Sequence, residues 1–178
     1  MSLRDRAVWD ASCGATGTAP AAIPTGINVA HTYVSSLVHC VFSTKDRRKL
    51  LTPSLRERLF PYLGGVAREA GMKALAVGGV DDHIHILLSV PAVLPLAKAL
   101  QHLKGVSSKW IHETFPEMRG FAWQAGYGAF SIGVSQTADT IKYIANQEEH
   151  HRRRTFDEEF VLFLKKHGIA YDPKFVFG

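Results

Sequence analysis

Two short stretches hold the residues whose types and spacing could do chemistry. In "DDHIHILLSV", residues 81 to 90, His83 and His85 stand one residue apart. Alternate residues of a strand project to one face, so both imidazoles point the same way while Ile84 and Ile86 turn to the other. Neighbouring imidazoles can share one divalent cation, and the same spacing also suits a plain surface or hydrogen-bonded pair. In and just before "IKYIANQEEHH", residues 141 to 151, helical spacing gathers Ala138, Ile141, Ile144, Ala145 and the stem of Glu148 on an apolar side. Tyr143 falls on the other side, with Gln147 at i+4 and His150 at i+7 continuing its line. Such a tyrosine either lies over its surface neighbours or works as a nucleophile.

A phenol is a poor nucleophile at neutral pH because its pKa is near ~10. It becomes useful when a cation stabilises the charge that develops on the oxygens of a phosphate under attack. Two imidazoles and the Gln147 amide oxygen form an incomplete ligand set, which leaves positions for scissile phosphate oxygens and water. Attack by Tyr143 then gives a covalent phosphotyrosine and frees the adjacent hydroxyl, so the bond energy is kept for rejoining.

The elements that must position these groups are legible in outline. "YVSSLVHCVFS", residues 33 to 43, is β-branched and aromatic and reads as a first strand, followed by the basic loop "TKDRRK". Thr52 and Pro53 open a helix whose face runs Leu55, Leu59, Leu63, Val66 and Ala70 to Gly71, with Pro61 expected to kink it. "MKALAVGGV" and "HIHILLSV" are strands joined by a hairpin turn around Val80, Asp81 and Asp82. Residues 94 to 112 are helical, with Leu96, Ala99, Leu100, Leu103, Val106 and Trp110 on one side. Their opposite side carries Lys98, His102, Gly105, Lys109 and His112, a basic stripe whose glycine invites close backbone approach. A strand within "WQAGYGAFSIG", a helix from about Ser135 to His150, and a last helix opened by a Thr155/Glu158 capping box and closed by Gly168 complete the order. A hairpin between two helix connections predicts an α+β chain: a ferredoxin-like split βαβ antiparallel sheet with helices on one face, a tyrosine-bearing helix and a capping helix following. The free sheet face is then expected to be a working surface.

Composition sets the bounds. The 178 residues are one domain's worth, with 46% hydrophobic and 21% charged residues, so a conventional core is expected without disulfides. Cys13 and Cys40 are too few for a disulfide framework, and Cys40 sits in an apolar run that suits a buried free thiol. No apolar stretch reaches a membrane span and no secretory signal opens the chain, which predicts a cytoplasmic protein without a membrane partner. Residues 1–30 carry Arg4 and Arg6 against Asp5 and Asp10 and are rich in Gly, Ala, Thr and Pro, as a flexible N-terminal extension would be. The net charge of +5 therefore lies in residues 31–178, the single folded domain. Lys45, Arg47 and Arg48, the stripe Lys98, His102 and Lys109, and Arg152 and Arg153 are candidate nucleic-acid contacts, and each cluster reads equally as a solvated face. Trp110 and Trp123 could stack on unpaired bases, although Trp110 lies on the apolar side of its helix.

"VFSTKDRR" at 41 to 48, "DHIHILLSV" at 82 to 90, "WQAGYGAFSI" at 123 to 132 and "YIANQEEHH" at 143 to 151 occur in one order. Together they resemble the single-tyrosine HUH transposases, the small enzymes of insertion sequences that move as single-stranded DNA. The resemblance covers about residues 31 to 165, and HUH, His-hydrophobic-His, is matched by His83, Ile84 and His85. It implies that His83, His85 and Gln147 hold Mg²⁺ or Mn²⁺, and that Tyr143 bonds to a 5′ phosphate and leaves a 3′ hydroxyl. It also implies a ferredoxin-like fold and a homodimer acting on single-stranded DNA with hairpins, the tyrosine helix of one subunit meeting the histidines of the other about a hinge at Gly133. A nucleotide hydrolase with three alternating histidines is excluded, because position 87 is Leu. A replication initiator using the same chemistry, or a domesticated hairpin-binding protein, are the competing readings.

Overall fold

A computed structural model describes residues 33–174 and residue 176. The expected extension, residues 1–30, and Cys13 with it, lie outside the described residues. Four antiparallel strands form the sheet: β1 (Leu37–Ser43), β2 (Lys73–Gly79), β3 (His83–Ser89) and β4 (Gly128–Ser131), in the order β2-β3-β1-β4. The helices are α1 (Pro53–Glu69), α2 (Leu96–Thr114), α3 (Thr137–Ala145), the single turn α4 (Gln147–His150) and α5 (Phe156–Lys166). This is the split βαβ arrangement expected: β3 lies between β1 and β2, and β1 between β3 and β4. The turn at Val80 to Asp82 closes through a Val80 N–H donating to the His83 carbonyl at 3.1 Å. No helix of the described residues is long and apolar enough to cross a membrane.

Local signals explain where the elements start and stop. The Thr52 hydroxyl accepts from the Leu55 N–H at 3.3 Å, and Pro53 takes the first helical position. α1 then runs as one continuous helix through Pro61. Pro61 and Glu57, whose carbonyl loses its intrahelical donor, are both exposed, so water can satisfy that oxygen and only the solvent side must yield. Thr155 and Glu158 form the reciprocal capping box of α5, and Gly168 follows that helix at φ 63°.

The two faces of the sheet are buried by different helices. Val38, Cys40 and Phe42 of β1 and Ile84, Ile86 and Leu88 of β3 meet Leu55, Leu59 and Leu63 of α1 and Ala99, Leu100 and Leu103 of α2 in the main core. Full burial of each aliphatic side chain there contributes about 1.5–3 kcal/mol. Cys40 is a buried free thiol, its pKa pushed up to about 12 by burial. Trp110 packs against this core and stacks on Tyr62, and Trp123 is buried between Phe42 and Phe121, its Nε1–H donating to Ser107 Oγ. Both indoles are packing groups rather than open base platforms.

The second face is covered too, which corrects the expectation of an open working surface. Ile141, Tyr143 and Ile144 of α3 pack on Ala76 and Leu87, and Phe156, Phe160, Phe163 and Leu164 of α5 pack on Val41 and Phe130. The helix expected over 135–150 is also broken, at Asn146 (φ −104°, ψ 22°). The break changes the facing of everything after it. Gln147 is buried, and Glu148 is exposed and pairs with Arg56; ahead of the break, within α3 itself, Ala138 and Ala145 are exposed rather than core. Tyr143 faces the sheet instead of the outer polar side.

One glycine sets how closely α3 approaches. A Cβ on Gly78 of β2 would stand 2.2 Å from the Ile144 carbonyl oxygen, so only hydrogen fits between them. Gly78→Ala is expected to push α3 outward and destabilise the fold by about 1–3 kcal/mol, measured as a lowered unfolding midpoint. An unchanged midpoint would show that α3 is not seated there. Gly105 has no atom of this chain within 4 Å of where a Cβ would stand, so its face is open. Gly133 has φ −72°, which any residue adopts.

Candidate active site

The pleat that puts Ile84 and Ile86 in the main core turns His83 and His85 to the second face, and both are 0% exposed under α5. The register pairs His83 with Ser43 and His85 with Val41, and sets His39 of β1 on the same face. Each imidazole is fixed through its Nδ1. His83 Nδ1–H donates to Asp82 Oδ1 at 2.6 Å, and His151, just after α4, donates its Nδ1–H to the Arg154 carbonyl at 3.0 Å. His85 Nδ1 is 2.9 Å from His39 Nε2, both rings being held neutral by burial, which drives His39 down to about 2 and His85 well below its usual value. With the hydrogen on Nδ1, each of the three rings offers an Nε2 lone pair to the interior.

Those lone pairs converge on a carboxylate. Glu159 of α5, 3% exposed, has Oε2 at 3.7 Å from His83 Nε2, 3.4 Å from His85 Nε2 and 3.2 Å from His151 Nε2. All four atoms are buried and lack a hydrogen-bond partner, as does Gln147 Oε1. Lone pairs facing a carboxylate oxygen with no hydrogen between them repel, unless a cation lies among them. Donors bound at about 2.1 Å to one tetrahedral cation stand about 3.4 Å apart, which fits the observed spacings. The residues present therefore fit a divalent metal, and an imidazole-rich set suits a transition ion better than Mg²⁺, which prefers oxygen. Burial lowers His151 to about 4 and raises Glu159 to about 7, the latter opposed by the charge of His83.

Tyr143 stands at the same carboxylate. Its hydroxyl donates to Glu159 Oε1, which also accepts from Gln147 Nε2 at 3.1 Å, and His150 Nε2 is 3.5 Å from the phenol oxygen. The tyrosine ring is 5.9 Å from His85 of its own chain. The expected group, Tyr143, His83, His85 and Gln147, is thus brought together within one chain. Glu159, His151, Asp82 and His39 complete it and were not anticipated.

The expected basic residues divide. Arg47 is no free phosphate contact: it donates to Asp82 Oδ2 at 3.1 Å and to Asp157 of α5, and lies over Phe156 at 4.4 Å. Burial alone would raise Asp82, but the hydrogen bonds and charges of His83 and Arg47 outweigh it and hold that carboxyl at about 2. Lys45 and Arg48 are exposed at the His83 end of the sheet, and Arg152 and Arg153 are exposed beside His151, both pairing with Glu149. Lys98, His102 and Lys109 are exposed on α2, which packs on the first face, so the sheet separates them from Tyr143. In that stripe Lys98 donates to Gln101, Lys109 pairs with Glu113, and His112 donates to the Phe121 carbonyl at 2.7 Å.

Comparison with known proteins agrees with this geometry. Residues 32–147 match the family described as "Transposase IS200 like". The transposase for insertion sequence element IS200 of Salmonella typhimurium is 30% identical over 128 residues, covering 68% of this chain and 83% of that protein. The ISDra2 transposase TnpA of Deinococcus radiodurans is 23% identical over 116 residues, covering 62% and 83%. Among solved structures, a putative transposase from Deinococcus radiodurans R1 has a TM-score of 0.55 at 24% identity, covering 68% of this chain and 98% of that one. A REP-associated tyrosine transposase bound to a REP hairpin has a TM-score of 0.51 at 15% identity, covering 70% and 74%. Both structures share the fold. With a family match that spans well over half of its length and a half-buried tyrosine beside buried histidines and a buried carboxylate, this chain belongs to the IS200-like transposases.

Proposed function

We propose that this chain nicks and rejoins single-stranded DNA at hairpin-marked ends through a 5′-phosphotyrosine on Tyr143. The observation that carries the reading is the convergence of the Tyr143 hydroxyl with three inward-held Nε2 lone pairs on one buried site. Tyr143 Oη forms a bond to phosphorus while the bond from phosphorus to the 3′ oxygen breaks. The phenol proton passes to His150 Nε2 and from there to the leaving 3′ oxygen, and the reverse steps rejoin the strand. His83, His85 and Gln147 are the residues proposed to hold a divalent metal, Mn²⁺ or Mg²⁺, which when bound supplies charge stabilisation at the phosphate oxygens. Asp82 and His39 orient the two imidazoles. Lys45, Arg48, Arg152 and Arg153 line the approach for an unpaired strand, while Lys98, His102 and Lys109 face a separate part of the DNA across the sheet. A cytoplasmic setting accords with such a substrate.

Hairpin-bearing single-stranded DNA with Mn²⁺ is expected to give a protein–DNA adduct that survives a denaturing gel. The fully paired duplex of the same sequence should give little, because a flexible strand brings its phosphate in line without a melting cost. Equal adduct yields from both would count against the reading.

The homodimer implied by resemblance is not needed to bring Tyr143 to the histidines, which are adjacent within one chain. Mixing Tyr143→Phe chains with His83→Ala chains, under conditions that exchange subunits, is therefore expected to restore no adduct. Every self-contained site in the mixture carries a lesion. Recovery of adduct in mixed dimers verified by mass would instead show that the site is shared.

A further inference from the structure

The proposed reaction gives His151 no task, yet its ring is held as firmly as those of His83 and His85. His150 and His151 adjoin at the end of α4, where successive side chains point about 100° apart around the helix. The two imidazoles therefore serve different neighbours. His150 Nε2 stands 3.5 Å from the Tyr143 oxygen, and His151 Nε2 turns inward to 3.2 Å from Glu159 Oε2. The His151 backbone N–H donates to the Gln147 carbonyl and its Nδ1–H to the Arg154 carbonyl, so the turn after α4 fixes both the ring and its tautomer. The ring lies edge-on to that of His83, centroids 4.6 Å apart at 73°. Its Nε2 is buried without a hydrogen-bond partner, as are those of His83 and His85. One ligand atom from each of these three rings and one from Glu159 lie within 4.8 Å of one another. A buried imidazole kept only for packing has its nitrogens satisfied. Three rings that each tie down Nδ1 and turn a bare Nε2 to one point are disposed as a ligand set.

We propose that His151 is itself a metal ligand, the third imidazole of the site, and that it selects a first-row transition ion over Mg²⁺. The inference rests on the reading that His83 and His85 hold a metal. With those two rings alone, the remaining donors are the Gln147 amide oxygen, phosphate oxygens and water, a set that serves Mg²⁺ as well as Mn²⁺. A third nitrogen changes the balance. Mg²⁺ parts reluctantly with its oxygen shell, whereas affinity at imidazole sites rises from Mn²⁺ towards Co²⁺ and the later ions. His151 is thus the residue that sets which cation the site takes. It also sets where the chain is tied. His83 and His85 stand on β3 and His151 on the turn after α4, so a cation shared by all three binds the segment that carries Gln147 and His150 to the sheet.

The test uses the full chain without DNA, with Co²⁺ followed by its visible absorption and Mg²⁺ as competitor. Wild type should bind Co²⁺ and keep it against a large excess of Mg²⁺. His151→Ala should lose Co²⁺ affinity by more than roughly a hundredfold, beyond the range for loss of an orienting partner, and change the spectrum of the cobalt that remains bound. Its affinity for Mg²⁺ should be little altered, so that the preference between the two ions collapses. Unchanged Co²⁺ affinity and spectrum in His151→Ala overturn the assignment. Equal losses for Co²⁺ and Mg²⁺ also overturn it, since His151 then only shapes the pocket. His83→Ala is the control that separates this inference from the reading beneath it. If His83→Ala loses Co²⁺ and His151→Ala does not, His151 alone is excluded; if wild type binds no Co²⁺, the metal reading of the whole site falls with it. Should His151→Ala not fold, as judged by circular dichroism, pulsed electron paramagnetic resonance of Cu²⁺ bound to wild type counts the coordinated imidazoles by their remote nitrogens. Three support the assignment and two overturn it.

Discussion

Replacing Tyr143 with phenylalanine should reduce the covalent protein–DNA adduct to background and leave the fold standing. The substitution removes one oxygen. The ring keeps its place against Ala76, Leu87 and Ile144, and its edge contact with Phe163 at 5.9 Å between centroids. Glu159 Oε1 loses the phenol donor and keeps the Gln147 amide at 3.1 Å, so the carboxylate is not stranded. The expected cost in stability is about 1 kcal/mol, the net worth of one buried hydrogen bond. Chemistry and stability are therefore separable at this position. A denaturing gel reads the first and a thermal melt the second. Adduct undiminished in Tyr143→Phe would take the nucleophile's role from Tyr143, and a collapsed melt would mean that the hydroxyl is structural.

The sheet was legible in the sequence because its strands alternate cleanly and its helices begin at strong caps. "HIHILLSV" carries its two faces in its spelling, and Thr52-Pro53 and Thr155 to Glu158 announce helix starts by the side chains that satisfy free backbone donors. Tyr143, His83, His85 and Gln147 were legible as a group for the same reason, being local motifs. The facing of Gln147 was not, because it follows a one-residue break at Asn146 that periodicity averages over, and that of Tyr143 was not, because the second sheet face on which α3 packs is set by tertiary contacts.

The carboxylate at the centre was hidden differently. Glu159 is 76 positions from His83, and nothing in the spacing of either points to the other. Its signal was an acid on an apolar helix face, in step with Phe156, Phe160 and Phe163, where an unpaired charge should not be. His39 left the same trace, a single imidazole in the apolar run "LVHCVFS". Both are anomalies of burial, readable only once the elements that bury them are known. The basic clusters are ambiguous for the converse reason: charge alone does not tell a phosphate contact from an internal pair, and Arg47 is engaged by Asp82 and Asp157.

His83→Ala is expected to abolish adduct formation and weaken metal binding while leaving most of the affinity for hairpin DNA, since phosphate contacts elsewhere supply the greater part of that binding. His83 is the proposed ligand whose removal is cleanest to read. Its ring touches His85, His151 and Phe156, so truncation leaves a cavity against them, and the melt must be measured beside the activity. Asp82→Asn gives the graded companion. The amide oxygen still accepts from His83 Nδ1–H, but the negative charge that strengthens the imidazole as a ligand is gone, and Arg47 loses an ionic partner. Loss of such an orienting carboxylate lowers metal affinity by roughly 10–100-fold, so excess Mn²⁺ should restore adduct formation to Asp82→Asn and not to His83→Ala. Binding of Mn²⁺ followed by electron paramagnetic resonance separates the two variants without reference to DNA. Wild-type protein that still forms adduct after exhaustive chelation would remove the metal from the reaction, and the lone pairs gathered at Glu159 would then need another cation, a proton, between them.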